Sequence, residues 1–369
     1  MMKFSSIIAK TGEWLKEEGP HRSIVISSRV RLARNLRSKP FPGWAKKTER
    51  LKVVQIIKPV VESLPEMQDA FTEHLESLSS LEKQILVERH LISREHAAKA
   101  AGSAIVMNAA QTLSFMINEE DHLRMQAICT GLQLTKVFDM INQADSKLEM
   151  ALDFAFHDQL GYLTACPTNI GTGMRASAML HLPALVMNDL VNKIINSVNK
   201  IGLAVRGLYG EGSEAIGNLF QVSNQTTLGE SEEEIIDRLH KVIETILEHE
   251  RNARQILLEQ RSVALLDQIG RAYGVLCHAR AIGSKEALNL LSIIKLGVDL
   301  DLFHGSSRHI IDELFIEIQP AHLQKGVQKM EADARDTLRA SIIREKLNSI
   351  SQPDTTKINT IPKKGDEPL

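Results

Sequence analysis

The chain has 369 residues, 43% of them hydrophobic, and its 44 lysines and arginines nearly cancel 46 acidic residues to leave a net charge of -2. That length buries a substantial core and fits two domains, while the balanced charge excludes the broad basic field of a nonspecific nucleic-acid binder, so any anion site has to be local. Three widely spaced cysteines, Cys129, Cys166 and Cys277, argue against a disulfide framework or a zinc cluster and fit a reducing cytoplasm, and the absence of an export signal or of about 18 uninterrupted apolar residues points to a soluble protein with no membrane partner.

In chain order, residues 1–23 read as an N-terminal helical segment. Residues 24–32 alternate as a strand, with Val25, Ser27, Arg29 and Arg31 on one face and Ile24, Ile26, Val30 and Leu32 on the other. Residues 105–107, 113–118 and 203–208 are short apolar runs bounded by polar or glycine residues and are read as further strands. Apolar spacings near 3 and 4 predict helices over 123–140, 150–156 and 175–201. The fold class is therefore α+β, an antiparallel sheet flanked by helices, followed by an all-helical domain. Ser231 and Glu234 form a capping box before a stripe of Ile235, Ile236, Leu239, Val242, Ile243, Ile246 and Leu247. Nearly everything after it is helical, with a last helix over 334–347. These patterns divide the chain into a mixed strand-and-helix domain over 24–253 and a helical C-terminal domain over 254–350. The tail over 351–369 is polar, with few large apolar residues, and is expected to be disordered.

The chemistry concentrates in a few segments. Arg29, Arg31, Arg124, Arg175 and Arg206 lie at edges of strands or loops, and two arginines projecting from one strand face need an anion to neutralise them. Glu119, Glu120 and Asp121 crowd three carboxylates after a strand, and Glu211 follows another strand in the same way. Two carboxylates from different strands suit a guanidinium, and Glu120 or Glu211 could take its proton. Cys166 precedes the turn Gly171-Thr172-Gly173 and Arg175, a setting for substrate positioning rather than for a Cys-His hydrolase. Gly210, Gly212 and Ala215 loosely match a dinucleotide fingerprint, but Glu211 and Glu214 would repel a pyrophosphate. Neither a Walker lysine motif nor the protein-kinase signature set is present.

Taken together, S-S-R-V-R (27–31), N-E-E-D-H-L-R (118–124), Y-L-T-A-C-P-T-N-I-G-T-G-M-R-A-S (162–177) and R-G-L-Y-G-E (206–211) resemble the ATP:guanidino phosphotransferases, and more closely their bacterial branch of protein-arginine kinases. That resemblance implies phosphate contacts from Ser27, Ser28, Arg29, Arg31, Arg124, Arg175 and Arg206, with Val30, Gly207, Leu208, Tyr209, Gly210 and Glu211 counted among the nucleotide-binding residues. It places His90 near the base or ribose, and Ala176, Ser177, Ala178 and Met179 along the nucleotide pocket. Glu120, Asp121, Cys166 and Glu211 would form the catalytic acceptor group, with ATP as donor and Mg2+ carried by its phosphates rather than by a dedicated protein metal site. Small-molecule guanidino kinases carry a helical domain ahead of the first strand, where this chain has 26 residues before Ser27. A more open site for protein arginines is the resulting expectation. Arg335, Asp336, Arg339 and Ala340 match an R-D-x-x-R-A motif that in this branch binds phosphoarginine allosterically. The resemblance further implies protein substrates marked for a Clp-type unfoldase, control of a heat-shock repressor, a zinc-binding activator partner and, with modest preference, a homodimer. Transfer to free arginine and a silent sensor of nucleotide or phosphoarginine are the competing readings.

Overall fold

The computed structural model describes residues 2–9, 12–16, 18–99, 101–207, 215–303, 308–325 and 330–354. In chain order the elements are α1 (Phe4–Ala9), α2 (Glu13–Lys16), β1 (Val25–Arg34), α3 (Lys47–Glu62), β2 (Phe71–His74), α4 (Ser80–Glu88), α5 (Arg94–Ala97), β3 (Ala104–Met107), β4 (Leu113–Ile117) and β5 (Leu123–Thr130). They continue as α6 (Leu134–Glu149), β6 (Phe156–His157), β7 (Gly161–Tyr162), β8 (Met174–His181), α7 (Pro183–Met187), α8 (Val191–Lys200), β9 (Leu203–Gly207) and β10 (Leu219–Asn224). The remaining helices are α9 (Glu232–Gln260), α10 (Ser262–His278), α11 (Ser284–Asp299), α12 (Arg308–Glu317) and α13 (Ala332–Leu347). None of the described helices is long and apolar enough to cross a membrane.

Two compact units result. One comprises the chain up to Leu180 with Val198–Val205 and Gln221–Ile243, and the other comprises His181–Ser197, Arg206–Phe220 and the described residues from Glu244 onward. The units interleave in sequence. The predicted N-terminal segment is part of the first unit's core, because α1 buries Ile7 among Phe71, Leu75, Leu86, Ile105 and Met116.

The first unit is built on a sheet of order β2-β3-β4-β5-β1-β8-β10-β9, and every pairing from β2 to β8 is antiparallel. Strand β1 is central, and its alternation gives the two faces different jobs. Val30 and Leu32 are buried on the face covered by α6, whose Leu134, Val137, Ile141, Ala144 and Leu148 form its inward stripe. Arg34 also takes this side, reaching Asp145 of α6 at 2.6 Å while donating to Thr172 O at 2.9 Å. Its guanidinium lies 3.4 Å from the centre of the Tyr162 ring. One buried arginine thus ties helix, strand and the loop before β8 together.

Two predicted helices begin as strands. Residues 123–130 form β5 and 174–181 form β8, and the helical parts of these spans start only with α6 at Leu134 and with α7 at Pro183, followed by α8 from Val191. Central strands packed on both faces lose the alternation that marks a half-exposed strand, so their apolar runs read equally well as helix. The predicted helix at 150–156 is absent, replaced by a turn leading into the β6-β7 hairpin. The capping box forms as expected, with Ser231 N–H donating to Glu234 at 2.8 Å and Glu234 N–H to Ser231 Oγ at 3.2 Å.

The second unit holds α7, the second half of α9 and helices α10 to α13 around buried ion pairs. Glu250, fully buried, accepts N–H bonds from Ala184 and Leu185 at 3.1 and 3.0 Å and from Arg254 at 2.9 Å. Arg308 pairs with Asp299 at 2.9 Å, and Lys295 with Asp312 at 2.7 Å. The first residues of the predicted tail are tied down, since Asp354 N–H donates to Leu302 O at 2.7 Å, and residues 355–369 lie outside the described set.

Candidate active site

Register carries the four first-unit arginines to one face. Arg31 stands opposite Arg175 on β8 and opposite Gln126 on β5, while Arg29 stands opposite Ser177 and Ile128. Arg124, two residues before Gln126, joins them because side chains at i and i+2 share a face. Ser27 and Met179 belong to the same face by the same count. Arg29 Nη2 donates to Gln221 of β10 at 2.7 Å, whereas Arg31 Nε is buried with no hydrogen-bond partner. Burial first, and then the charges of Arg124 and Arg175, pushes the Arg29 guanidinium down to about 10. Arg31 is held well below its ordinary value by burial and by Arg29, Arg124 and Arg175, with Glu119 pulling the other way. Four cations on one half-buried face, one with an unmet donor, form a cradle that fits a polyphosphate.

His90 borders this cradle. It follows α4 with a positive φ of 58°, and its carbonyl accepts from Gln126 Nε2 at 2.6 Å. Its ring meets Trp14 edge-on at 6.0 Å. Burial and then Arg29 lower the imidazole to about 4, so it is neutral at physiological pH. A neutral ring beside an indole suits an uncharged base or sugar.

Alternation sends other predicted residues to the opposite face. Ser28 is fully buried there, its hydroxyl donating to Gly131 O at 2.7 Å and accepting from Gln133 N–H at 2.9 Å. Val30, Ala176 and Ala178 share that buried face. Only their backbone is on offer to the cradle. Arg206 and Gly207 end β9 within the second unit, both half-buried. Leu208, Tyr209, Gly210 and Glu211 lie outside the described residues.

The acidic segment divides into three roles. Glu119 is buried, receives Arg124 Nη1 at 3.0 Å, Ser93 Oγ at 2.5 Å and the Glu120 N–H at 3.0 Å. Burial alone would raise its carboxyl, but Arg124, Ser93 and the Glu120 amide outweigh it and hold it below the ordinary value. Glu119 therefore aims Arg124, a role that nothing in the run of acids signals in advance. Glu120 is the exposed member, 3.9 Å from Arg124, and burial followed by repulsion from Asp121 raises its carboxyl. Asp121 is fully buried behind it, its Oδ1 accepting from Asn35 Nδ2 and from the Ala165 N–H, each at 2.6 Å. Its contacts are internal, so it positions neighbours rather than facing solvent.

Cys166 is half-buried immediately after Ala165, with Sγ 3.0 Å from Thr168 Oγ1. A single 3-10 turn, Pro167–Asn169, follows it, and Arg175 belongs to a strand, so no α-helix starts here. The glycine turn is required by close approach: a Cβ on Gly171, at φ 110°, would stand 2.0 Å from Thr227 O.

Among the described residues, no group of three or more His, Cys, Asp and Glu side chains has the geometry to hold a metal. At Arg335, Nη1 donates to Met330 O at 2.5 Å. Arg339 is buried, donating to Ile318 O at 3.0 Å and Ile282 O at 2.8 Å and pairing with Asp336. Ala340 is buried beside it in sequence.

A cationic cradle, a neutral histidine, an open carboxylate next to the cradle, and a thiol one residue from the Ala165 N–H that Asp121 holds are parts that fit a phosphoryl donor site and a guanidinium acceptor. Residues 52–253 match the family described as ATP:guanido phosphotransferase, C-terminal catalytic domain, and residues 262–358 match the protein-arginine kinase McsB C-terminal domain. The chain belongs to the ATP:guanido phosphotransferases, in their protein-arginine kinase branch. It is 47% identical over 354 residues to the protein-arginine kinase of Syntrophomonas wolfei, covering 94% of this chain and 99% of the relative. Against the protein-arginine kinase of Halothermothrix orenii the identity is 44% over 349 residues, covering 94% and 100%. Among solved structures, the duplicated taurocyamine kinase of Schistosoma mansoni with bound transition-state-analogue components is similar with a TM-score of 0.58 at 26% identity, over 66% of this chain and 35% of that one. A lombricine kinase shares the fold with a TM-score of 0.55 at 24% identity, over 62% of this chain and 67% of that one.

Proposed function

We propose that this chain transfers the γ-phosphate of ATP to guanidino nitrogens of arginine side chains in proteins. The observation that carries the reading is the adjacency of two chemistries in one unit: Arg124 belongs to the phosphate cradle and is gripped by Glu119, the residue next to the exposed Glu120. Arg29, Arg31, Arg124 and Arg175 hold the phosphates and neutralise charge as the phosphoryl group moves. Mg2+, carried by the nucleotide, supplies further neutralisation of the β- and γ-oxygens when bound. Glu120 accepts hydrogen bonds from the acceptor guanidinium and aligns one nitrogen in line with phosphorus, and its raised carboxyl makes it the better receiver of the proton that leaves. Cys166 stands on the acceptor side. The roles of Arg206 and Glu211 rest on their motif alone.

The names of the relatives support a polypeptide acceptor over free arginine. Within this reading, phosphorylated proteins pass to a Clp-type unfoldase and a heat-shock repressor is among the targets, while a zinc-binding activator and a homodimeric state complete the proposed context. Arg335 and Asp336 are the proposed phosphoarginine contacts of the second unit. The test is incubation with magnesium-ATP and either an unfolded protein or free arginine, with acid-labile phosphoarginine read by mass spectrometry beside Glu120→Ala. Phosphate on protein arginines that disappears in the variant is expected, and transfer confined to free arginine would replace this reading with a metabolite kinase.

A further inference from the structure

Resting on the assignment of Glu120 and Cys166 to the acceptor, we propose that Asn35 is a positioning residue that fixes the Cys166 segment relative to Glu120 through Asp121. Asn35 follows β1 directly and is 1% exposed. Its Nδ2 donates to Asp121 Oδ1 at 2.6 Å and to Leu163 O at 3.0 Å, its Oδ1 accepts the His122 N–H at 2.9 Å, and its carbonyl accepts the Ala155 N–H at 2.7 Å. The same Asp121 oxygen accepts the Ala165 N–H at 2.6 Å. Glu120 is one residue before Asp121, and Cys166 is one residue after Ala165. A single carboxylate oxygen thus sets the spacing of the two acceptor groups, and Asn35 sets that oxygen.

The chemistry explains why the residue is an amide. An asparagine offers two coplanar donors and an acceptor, and this site uses all three in one plane-sized volume. An aspartate would face the Asp121 carboxylate as a like charge, a serine would lack the second donor, and a glutamine would shift the contacts by a methylene. Asp121 Oδ2 is buried with no partner, so the Asn35 and Ala165 donors are the hydrogen bonds that offset burial of this charge. His122 reinforces the arrangement from the other side: its Nδ1 accepts the Leu36 N–H at 3.1 Å and its Nε2–H donates to Pro40 O at 2.9 Å. Residues 35, 36 and 40 are therefore clamped onto the acidic segment; these hydrogen bonds go to none of the cradle arginines, and the clamp's link to the cradle is the charge of Asp121 acting on Arg124.

The experiment uses the full chain with Asn35→Ala, Asp121→Asn and the double variant, assayed with ATP and a peptide containing one arginine. Asn35→Ala is expected to lower kcat/KM for the peptide on the order of 10- to 100-fold while KM for ATP stays within about two-fold, because misplacement of a reacting group by an ångström costs rates of that size. The double variant is expected to be no worse than the poorer single, since both act through one contact. Alkylation of Cys166 by iodoacetamide, read by peptide mapping, is expected to change by at least about three-fold with Cys277 as the unaltered reference. Parallel loss toward ATP and peptide, additive penalties, or unchanged Cys166 labelling would each overturn the proposal. Should Asn35→Ala fail to fold, Asn35→Ser, which keeps one hydroxyl donor but gives up the second contact, takes its place; the same split between peptide and ATP is expected, and its absence sinks the link. Wild-type protein that phosphorylates no guanidino acceptor defeats the functional reading, and the labelling comparison then decides the positioning role alone.

Discussion

At the residue scale the site is a set of charges held in conflict until ligands arrive. Arg31 loses from burial and from three neighbouring cations, and its Nε is unmet. Replacing it with methionine, which keeps length and removes charge, is therefore expected to leave the thermal stability of the nucleotide-free protein unchanged or higher. The same change should shrink the stabilisation by magnesium-ATP, which for the unaltered protein amounts to about 2.7 kcal/mol at a hundred-fold excess over Kd. Thermal denaturation with and without nucleotide checks both, and a destabilised protein with an intact nucleotide shift would contradict the cradle. Glu120 makes the matching prediction on the acceptor side. Burial, Asp121, Glu119 and Glu95 raise its carboxyl and Arg124 opposes them, so it takes up a proton at a higher pH than an ordinary glutamate. The acid limb of kcat/KM should lie correspondingly high, with activity lost as pH falls through it. Glu95→Gln removes one of the raising charges from the exposed start of α5 and should move the limb to lower pH; a limb that stays put would show that another group controls it.

At the element scale the outcome depends on how each strand and turn meets its neighbours. The turn at Gly171 packs against the backbone at Thr227, and Gly161 would meet the Gly171 carbonyl at 2.4 Å if it carried a Cβ. Gly171→Ala combines a forbidden contact with a left-handed φ, so a loss of at least about 2 kcal/mol is expected in denaturant unfolding. Activity should fall with it, because this turn links Cys166 to β8. Wild-type stability in that variant would mean that the turn can relax. The same packing explains which elements could be read from sequence. Strand β1 was legible, as its arginines alternate with Val30 and Leu32. Strands β5 and β8 were not, because burial on both faces erases alternation, and Arg124 and Arg175 then look like charges punctuating helices. The motifs located the cradle and the exposed Glu120, yet Glu119 and Asn35 stayed silent: their importance lies in partners 26 and 86 positions away, Ser93 and Asp121, which no local pattern encodes.

At the scale of the whole molecule, a near-neutral chain places its functional charges locally, and the two arginines of the C-terminal motif show how differently such charges can be used. Arg339 is buried and satisfies the carbonyls of Ile318 and Ile282 while pairing with Asp336, so it joins the start of α11, the end of α12 and α13 within the second unit. Removing it strands two carbonyls and a carboxylate, a loss on the order of 3 kcal/mol or more. Arg335 is half-buried, and the described contact of its Nη1 is with one backbone carbonyl. Arg339→Ala is therefore expected to lower Tm by several degrees, whereas Arg335→Ala leaves it nearly unchanged. If the motif binds phosphoarginine, only Arg335→Ala tests binding cleanly: added phosphoarginine should stabilise the wild type and not this variant, in a calorimetric titration run beside the thermal scan. Equal Tm losses in both variants would make the motif a structural brace, and phosphoarginine binding that survives Arg335→Ala would move the pocket elsewhere.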